Sequence, residues 1–163
     1  MVKVEPRILY KPAFSVVGFS QPFLGWDGEL DALWKKLESR YREIPLADPD
    51  IGFAVHTWTP SQKLYLAGMA LRKVPGRGQA VSLPPGMTRL SFDPNAYAVF
   101  PHRGLVGGLS ETLRMICKEW LPASCYRSAA NYFFEVYDDR FQPGSDDSLL
   151  FVYVPVTLIA RGS

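Results

Sequence analysis

Asn131-Tyr132-Phe133-Phe134-Glu135-Val136-Tyr137-Asp138-Asp139-Arg140 is rich in aromatic and β-branched residues, and a polar segment containing Pro143 and Gly144 follows it. Such a composition, ended by a turn, predicts a strand whose side chains alternate between two faces. Phe133, Glu135 and Tyr137 then share one face. A carboxylate with an aromatic ring at i−2 and at i+2 is costly to bury without a partner. Two readings follow. Glu135 lies at a solvated sheet edge or pairs with one of the 18 Lys and Arg side chains, or it is a negative group on the floor of an aromatic cleft, suited to a flat, apolar, cationic guest.

Working outward, the segment after this strand, Leu149 to Leu158, predicts the last strand. Before it, Leu109, Leu113, Ile116, Cys117 and Trp120 mark one apolar helix face, with Cys117 expected as a core thiol and Pro122 as the stop. Tyr97 to His102 and Thr88 to Phe92 read as strands around an Asp93-Pro94-Asn95 turn. Arg72 to Met87 is a loop by its Pro and Gly content. Upstream, Ile51 to Trp58 and Leu64 to Leu71 read as a strand pair after an Asp48-Pro49-Asp50 turn. Leu30, Leu33, Trp34, Leu37, Tyr41 and Ile44 recur at helical spacing between Asp27, a good N-cap, and Pro45. Ala13 to Ser20 reads as a strand, and Val2 to Tyr10, interrupted by Pro6, as an edge strand.

This order repeats. Strand, helix, strand, strand occurs over Ala13 to Leu71 and again over Tyr97 to Leu158, and Leu30, Trp34, Leu37 and Tyr41 match Leu109, Leu113, Ile116 and Trp120 at a constant offset of 79. The expected fold is α+β: two pseudo-twofold-related βαββ repeats, about 2–72 and 88–159 of one domain spanning 1–163. They form an antiparallel sheet system with both helices on one side and a central ligand groove.

Composition narrows the function classes. The chain has 163 residues, 47% hydrophobic and 21% charged, as a compact domain does. Its formal charge is +2 with no basic block, so charge gives nucleic-acid binding no support. Two cysteines and no signal-peptide pattern favour a reducing, cytoplasmic setting, and no apolar run approaches the ~20 residues that span a bilayer. His56 and His102 show no metal-ligand spacing, so neither a metal site nor a cofactor is expected, and a structural hydrogen bond is the plainer role for His102. Trp34 and Trp120 fall on apolar helix faces and are expected in the core.

Five segments carry a family resemblance: Leu83-Pro84-Pro85-Gly86-Met87; Asn95-Ala96-Tyr97-Ala98-Val99-Phe100-Pro101-His102-Arg103-Gly104; Glu119-Trp120-Leu121-Pro122-Ala123-Ser124-Cys125-Tyr126; Phe134-Glu135-Val136-Tyr137; and Val152-Tyr153-Val154-Pro155-Val156. In this order they resemble the GyrI-like small-molecule-binding domain, which also serves as the effector-binding domain of AraC-type and MerR-type multidrug-sensing regulators. The likeness extends from about Val2 to Ile159. It implies a pocket between the two halves for amphipathic, often cationic aromatic compounds, with Glu135 as counter-charge and Tyr137 and Tyr153 at the pocket positions. Phe133 on the same face, Trp26 before the first helix and Tyr65 on the opposite wall complete the candidate ligand-binding set; Trp26 reads equally as a hydrophobic staple on that helix.

The resemblance also implies alternatives. Some relatives without a DNA-binding segment hydrolyse cyclopropane-bearing cytotoxins, which would make Glu135 and Tyr137 general base and acid. The SOUL haem-binding proteins share the fold, which would make the chain a haem or tetrapyrrole binder. Regulators of this kind carry a helix-turn-helix before the domain, and here the domain begins almost at Met1. The expectation is a sensing or sequestering module with no direct nucleic-acid or membrane contact and, where it regulates, a separate regulatory protein partner. Family members that act on gyrase are thought to rely on acidic surfaces, and the slight positive charge argues against that activity.

Overall fold

The structure, a computed structural model, describes residues 5–25, 28–72 and 82–160. Trp26, the Asp27 cap and most of the Arg72 to Met87 loop lie outside the described residues. The chain runs β1 (Arg7–Lys11), β2 (Phe14–Pro22), α1 (Gly28–Arg40), β3 (Ala47–Thr59), β4 (Gln62–Leu71), β5 (Thr88–Phe92), β6 (Asn95–Arg103), α2 (Leu109–Met115), β7 (Tyr126–Ser128), β8 (Tyr132–Tyr137) and β9 (Leu149–Leu158). Both βαββ units are present, β2-α1-β3-β4 and β6-α2-β8-β9. β7 is a short addition that pairs with the far end of β9.

The described strands form one antiparallel sheet in the order β1-β6-β9-β8-β3-β4-β2-β5. β8 and β3, the equivalent strands of the two units, are paired at the centre, with Ala54 opposite Glu135 and His56 opposite Phe133. One sheet face carries both helices, in two clusters. Leu30, Leu33 and Leu37 of α1 cover Val17, Ala54, Tyr65 and Ala67, and Leu109 and Ile116 cover Ala98, Phe100, Leu150 and Val152. The other face is aromatic and curls on itself. Phe134 of β8 lies 5.3 Å, ring to ring, from Phe14 of β2, although two strands separate them in the sheet.

Local departures have local causes. Asp48-Pro49-Asp50, expected as a turn, is the bulged start of β3, where the register against β4 shifts between Ala47 and Gly52. α2 continues through a π turn at Ile116–Trp120 and a last α turn at Leu121–Ala123, so Pro122 sits inside the final turn and does not precede it. One extra residue in a turn rotates every later side chain about the helix axis. Ile116 stays in the core, whereas Cys117, expected to be buried, is exposed. Among the described residues no helix is long and apolar enough to cross a membrane.

Candidate functional site

Between the two helical covers, over the β3–β8 pair, lies a groove of about 1030 Å³. One wall is α1, presenting Asp31, Trp34, Lys35 and Glu38. The other is the Val106–Gly107 turn before α2 together with Phe141, Pro143 and Gly144, and Gly52, Tyr65 and Tyr137 form the floor. The groove therefore takes residues from both repeats, as the pseudo-twofold reading expects.

Trp34 shapes it. This tryptophan, on the apolar stripe of α1 and expected in the core, is half-buried and borders the groove. Gly52 permits that position, since a Cβ there would stand 3.1 Å from the indole ring. Trp34 Nε1 donates to the Tyr65 hydroxyl at 2.8 Å, and its ring meets Tyr137 edge-on at 5.5 Å. Phe141 meets Tyr137 from the other side at 4.7 Å, perpendicular to it. Removing the Tyr65 hydroxyl with Tyr65→Phe leaves the indole N–H to water. The expected loss of stability is about 1 kcal/mol, read as a lower urea midpoint at unchanged m.

Beneath the floor lies the polar centre of the molecule. Glu135 is fully buried. Tyr137 donates its hydroxyl hydrogen to Glu135 Oε1 at 2.6 Å, and His56 Nε2, from β3, contacts Glu135 Oε2. Two partners for two oxygens are what make a buried carboxyl group tolerable. The His56 ring is stacked on Phe133 at 4.3 Å and meets Tyr65 and Phe23 edge-on, each at 5.0 Å. Burial pushes the Tyr137 hydroxyl well above its ordinary pKa, and the negative charge of Glu135 raises it further. The Tyr65 hydroxyl is raised by the same two causes in the same order. Both phenols stay neutral donors at physiological pH and can face a guest without adding charge of their own.

Of the expected ligand residues, Tyr137 and Tyr65 reach the groove. Glu135 lies directly behind Tyr137. Phe133 shares its face and contacts it through His56. Tyr153 does not belong with them: it pairs with Phe134 across β8 and β9, stacks on that ring at 4.8 Å, and so occupies the opposite face of the sheet. A register that sets Glu135 against Val152 puts the odd-numbered residues of β9 on the other side from Glu135. Trp34, Phe141 and His56 were missed by sequence reasoning. Pairing of the two equivalent strands at the pseudo-twofold axis is the signal that could have brought His56 to Glu135. His102 is structural: Nε2 donates to the Leu105 carbonyl at 2.9 Å, and Nδ1 is 2.7 Å from the Thr112 hydroxyl, which ties β6 to α2. Among the described residues no cluster of three or more His, Cys, Asp or Glu side chains could hold a metal ion.

A curled sheet with two helices and a bipartite aromatic groove over a buried acid defines a small-molecule-binding domain. Residues 4–157 match the GyrI-like small molecule binding domain, and the chain belongs to that family. It is 29% identical over 156 residues to the transcriptional regulator BrlR of Pseudomonas aeruginosa, covering 94% of this chain and 56% of the regulator, so it spans a little over half that relative's length. SAV2435, solved bound to tetraphenylphosphonium, superposes with a TM-score of 0.70 at 12% identity, over 94% of each chain. The C-terminal domain of EcmrR superposes with a TM-score of 0.70 at 11% identity, over 97% of this chain and 100% of that domain.

Proposed function

We propose that the groove binds amphipathic aromatic cations, that Glu135 supplies the counter-charge through Tyr137, and that the domain senses or sequesters such compounds. The observation that carries this is the placement of a fully buried Glu135 immediately behind the Tyr137 hydroxyl, on the floor of an open cavity walled by Trp34 and Phe141. Aromatic faces attract cations within about 6 Å of the ring centroid, by about 0.5–2 kcal/mol per ring depending on desolvation. A cationic aromatic guest between Trp34 and Phe141 would meet several such faces. Tetraphenylphosphonium, the compound bound by SAV2435, has the size and charge that this cavity suits. The relatives include regulators, and the proposal extends to a ligand signal passed to a DNA-binding segment or partner.

The geometry favours binding over hydrolysis. A general base must reach a water in the groove, whereas both Glu135 oxygens are engaged behind Tyr137. A haem reading lacks a histidine ligand in the cavity, since neither His56 nor His102 is among the groove-lining residues.

The test is calorimetric titration of the protein with tetraphenylphosphonium and with neutral triphenylphosphine oxide. The cation is expected to bind at least tenfold more tightly, a difference of about 1.4 kcal/mol. Equal affinities, or no binding of the cation, would remove the basis for the reading. Trp34→Phe should diminish the fluorescence change on binding, which places the guest at α1.

A further inference from the structure

The carboxyl group at the centre of the molecule has a titratable partner. His56 Nε2 contacts one oxygen of Glu135, and Tyr137 occupies the other. A histidine changes charge within the physiological range more readily than any other side chain. The pair therefore has two electrical states with nearly the same shape. With His56 neutral it carries the full negative charge of Glu135; with His56 protonated its net charge is zero.

We infer that His56 sets the charge selectivity of the groove: the neutral imidazole leaves Glu135 able to attract an organic cation, and the imidazolium cancels that attraction and removes the cation's advantage over neutral aromatic guests. The inference deepens the proposed function and rests on it. Several groups among the described residues face His56. From β8 it faces Glu135, with Tyr137 beyond and the apolar Phe133 stacked on the ring; from β4 it faces Tyr65, and the Phe23 ring closes a further side. The charged groups of α1, Asp31, Lys35 and Glu38, border the groove itself. Both tyrosines hold their protons well above neutrality, because burial and the charge of Glu135 oppose their ionisation. Within this centre His56 is the group whose protonation would neutralise Glu135.

The sign follows from linkage. A permanently charged guest favours the state with neutral His56, so its binding releases a proton and its affinity rises with pH. A guest without charge has no such preference. For tetraphenylphosphonium the dissociation constant is expected to fall about fivefold or more between pH 5.5 and pH 8.0, with triphenylphosphine oxide constant within about twofold. His56→Gln should remove the pH dependence for the cation while leaving it bound. A second measurement needs no variant. The chain has two histidines, and their imidazole proton resonances can be titrated with and without tetraphenylphosphonium. The cation is expected to lower the midpoint of His56 and leave that of His102, which is tied to Leu105 and Thr112. A cation that binds with the same affinity at every pH would overturn the inference and leave the proposed function standing. An equal slope in wild type and His56→Gln, or an unmoved His56 midpoint, would overturn it as well. If the cation binds at no pH, the proposed function fails and this inference fails with it.

Discussion

Glu135→Gln is expected to weaken tetraphenylphosphonium binding tenfold to hundredfold while triphenylphosphine oxide binds within about twofold of its wild-type affinity. The amide keeps the volume and one acceptor, so Tyr137 can still donate to Oε1 where it now donates to Glu135. The amide nitrogen turns toward His56, which meets it with the tautomer that accepts at Nε2. The fold should therefore survive and the charge alone be lost. A guest resting against the Tyr137 hydroxyl lies roughly 6 Å from the carboxylate. At an effective dielectric of about 20 the attraction over that distance is on the order of 3 kcal/mol, and screening in the open groove lowers it to about 1–3 kcal/mol. That range is the expected loss. The comparison with the neutral ligand separates counter-charge from packing: equal weakening of both compounds would mean that Glu135 shapes the floor and does not act at a distance. Circular dichroism and the urea midpoint of the variant supply the folding control.

Much of this arrangement was readable before any coordinates. Composition set the limits of β8 and β9, since aromatic and β-branched residues fill both strands and turn residues bound them. The helical spacing of α1 was equally plain, because Leu30, Leu33 and Leu37 all point inward. What escaped is what depends on register or on helix phase. Tyr153 was assigned to the groove by family position, and the β8–β9 register moves it to the other face. Cys117 was placed in the core by its spacing, and it lies beside the buried Ile116 on the exposed flank of the helix, which also carries a π turn at Ile116–Trp120. Such a turn has no marker in the local sequence.

The site divides in the same way. Glu135 and Tyr137 belong to one strand, two residues apart, so their shared face follows from the pleat. His56 is 79 residues from Glu135, and no local spacing links them. Their contact comes from the antiparallel pairing of two equivalent strands at the centre of the sheet. Trp34 shows a further limit. An apolar stripe marks the helix face that is covered, yet Trp34 on that stripe packs only partly against the core and borders the groove.

Gly18→Ala is expected to abolish the folded state or lower stability by more than about 3 kcal/mol, a large part of the 5–15 kcal/mol typical of a domain. Gly18 of β2 pairs with Gly68 of β4, two side-chain-free positions facing each other inside the sheet. A Cβ on Gly18 would stand 1.9 Å from the Ala67 carbonyl oxygen and 2.5 Å from the Gly68 Cα, and one on Gly68 would stand 2.7 Å from the Val17 carbonyl oxygen. These obstacles are backbone atoms of a paired strand, so no rotamer change relieves them. Relief requires β2 and β4 to separate where β2 also pairs with β5 through Gly18 and Thr88. The close approach belongs to the curl that brings Phe14 and Phe92 of the outer strands to Phe134. Widening it would loosen the aromatic face as well as the ladder, so the loss should exceed the cost of one strained contact. Gly107→Ala is the control: nothing lies within 4 Å of its added Cβ, and its midpoint should stay within about 0.5 kcal/mol of wild type. Urea titrations followed by far-ultraviolet circular dichroism decide the matter. A Gly18→Ala protein that unfolds at the wild-type midpoint would show that β2 and β4 can part without cost, and that the glycine pair does not hold the curl of the aromatic face.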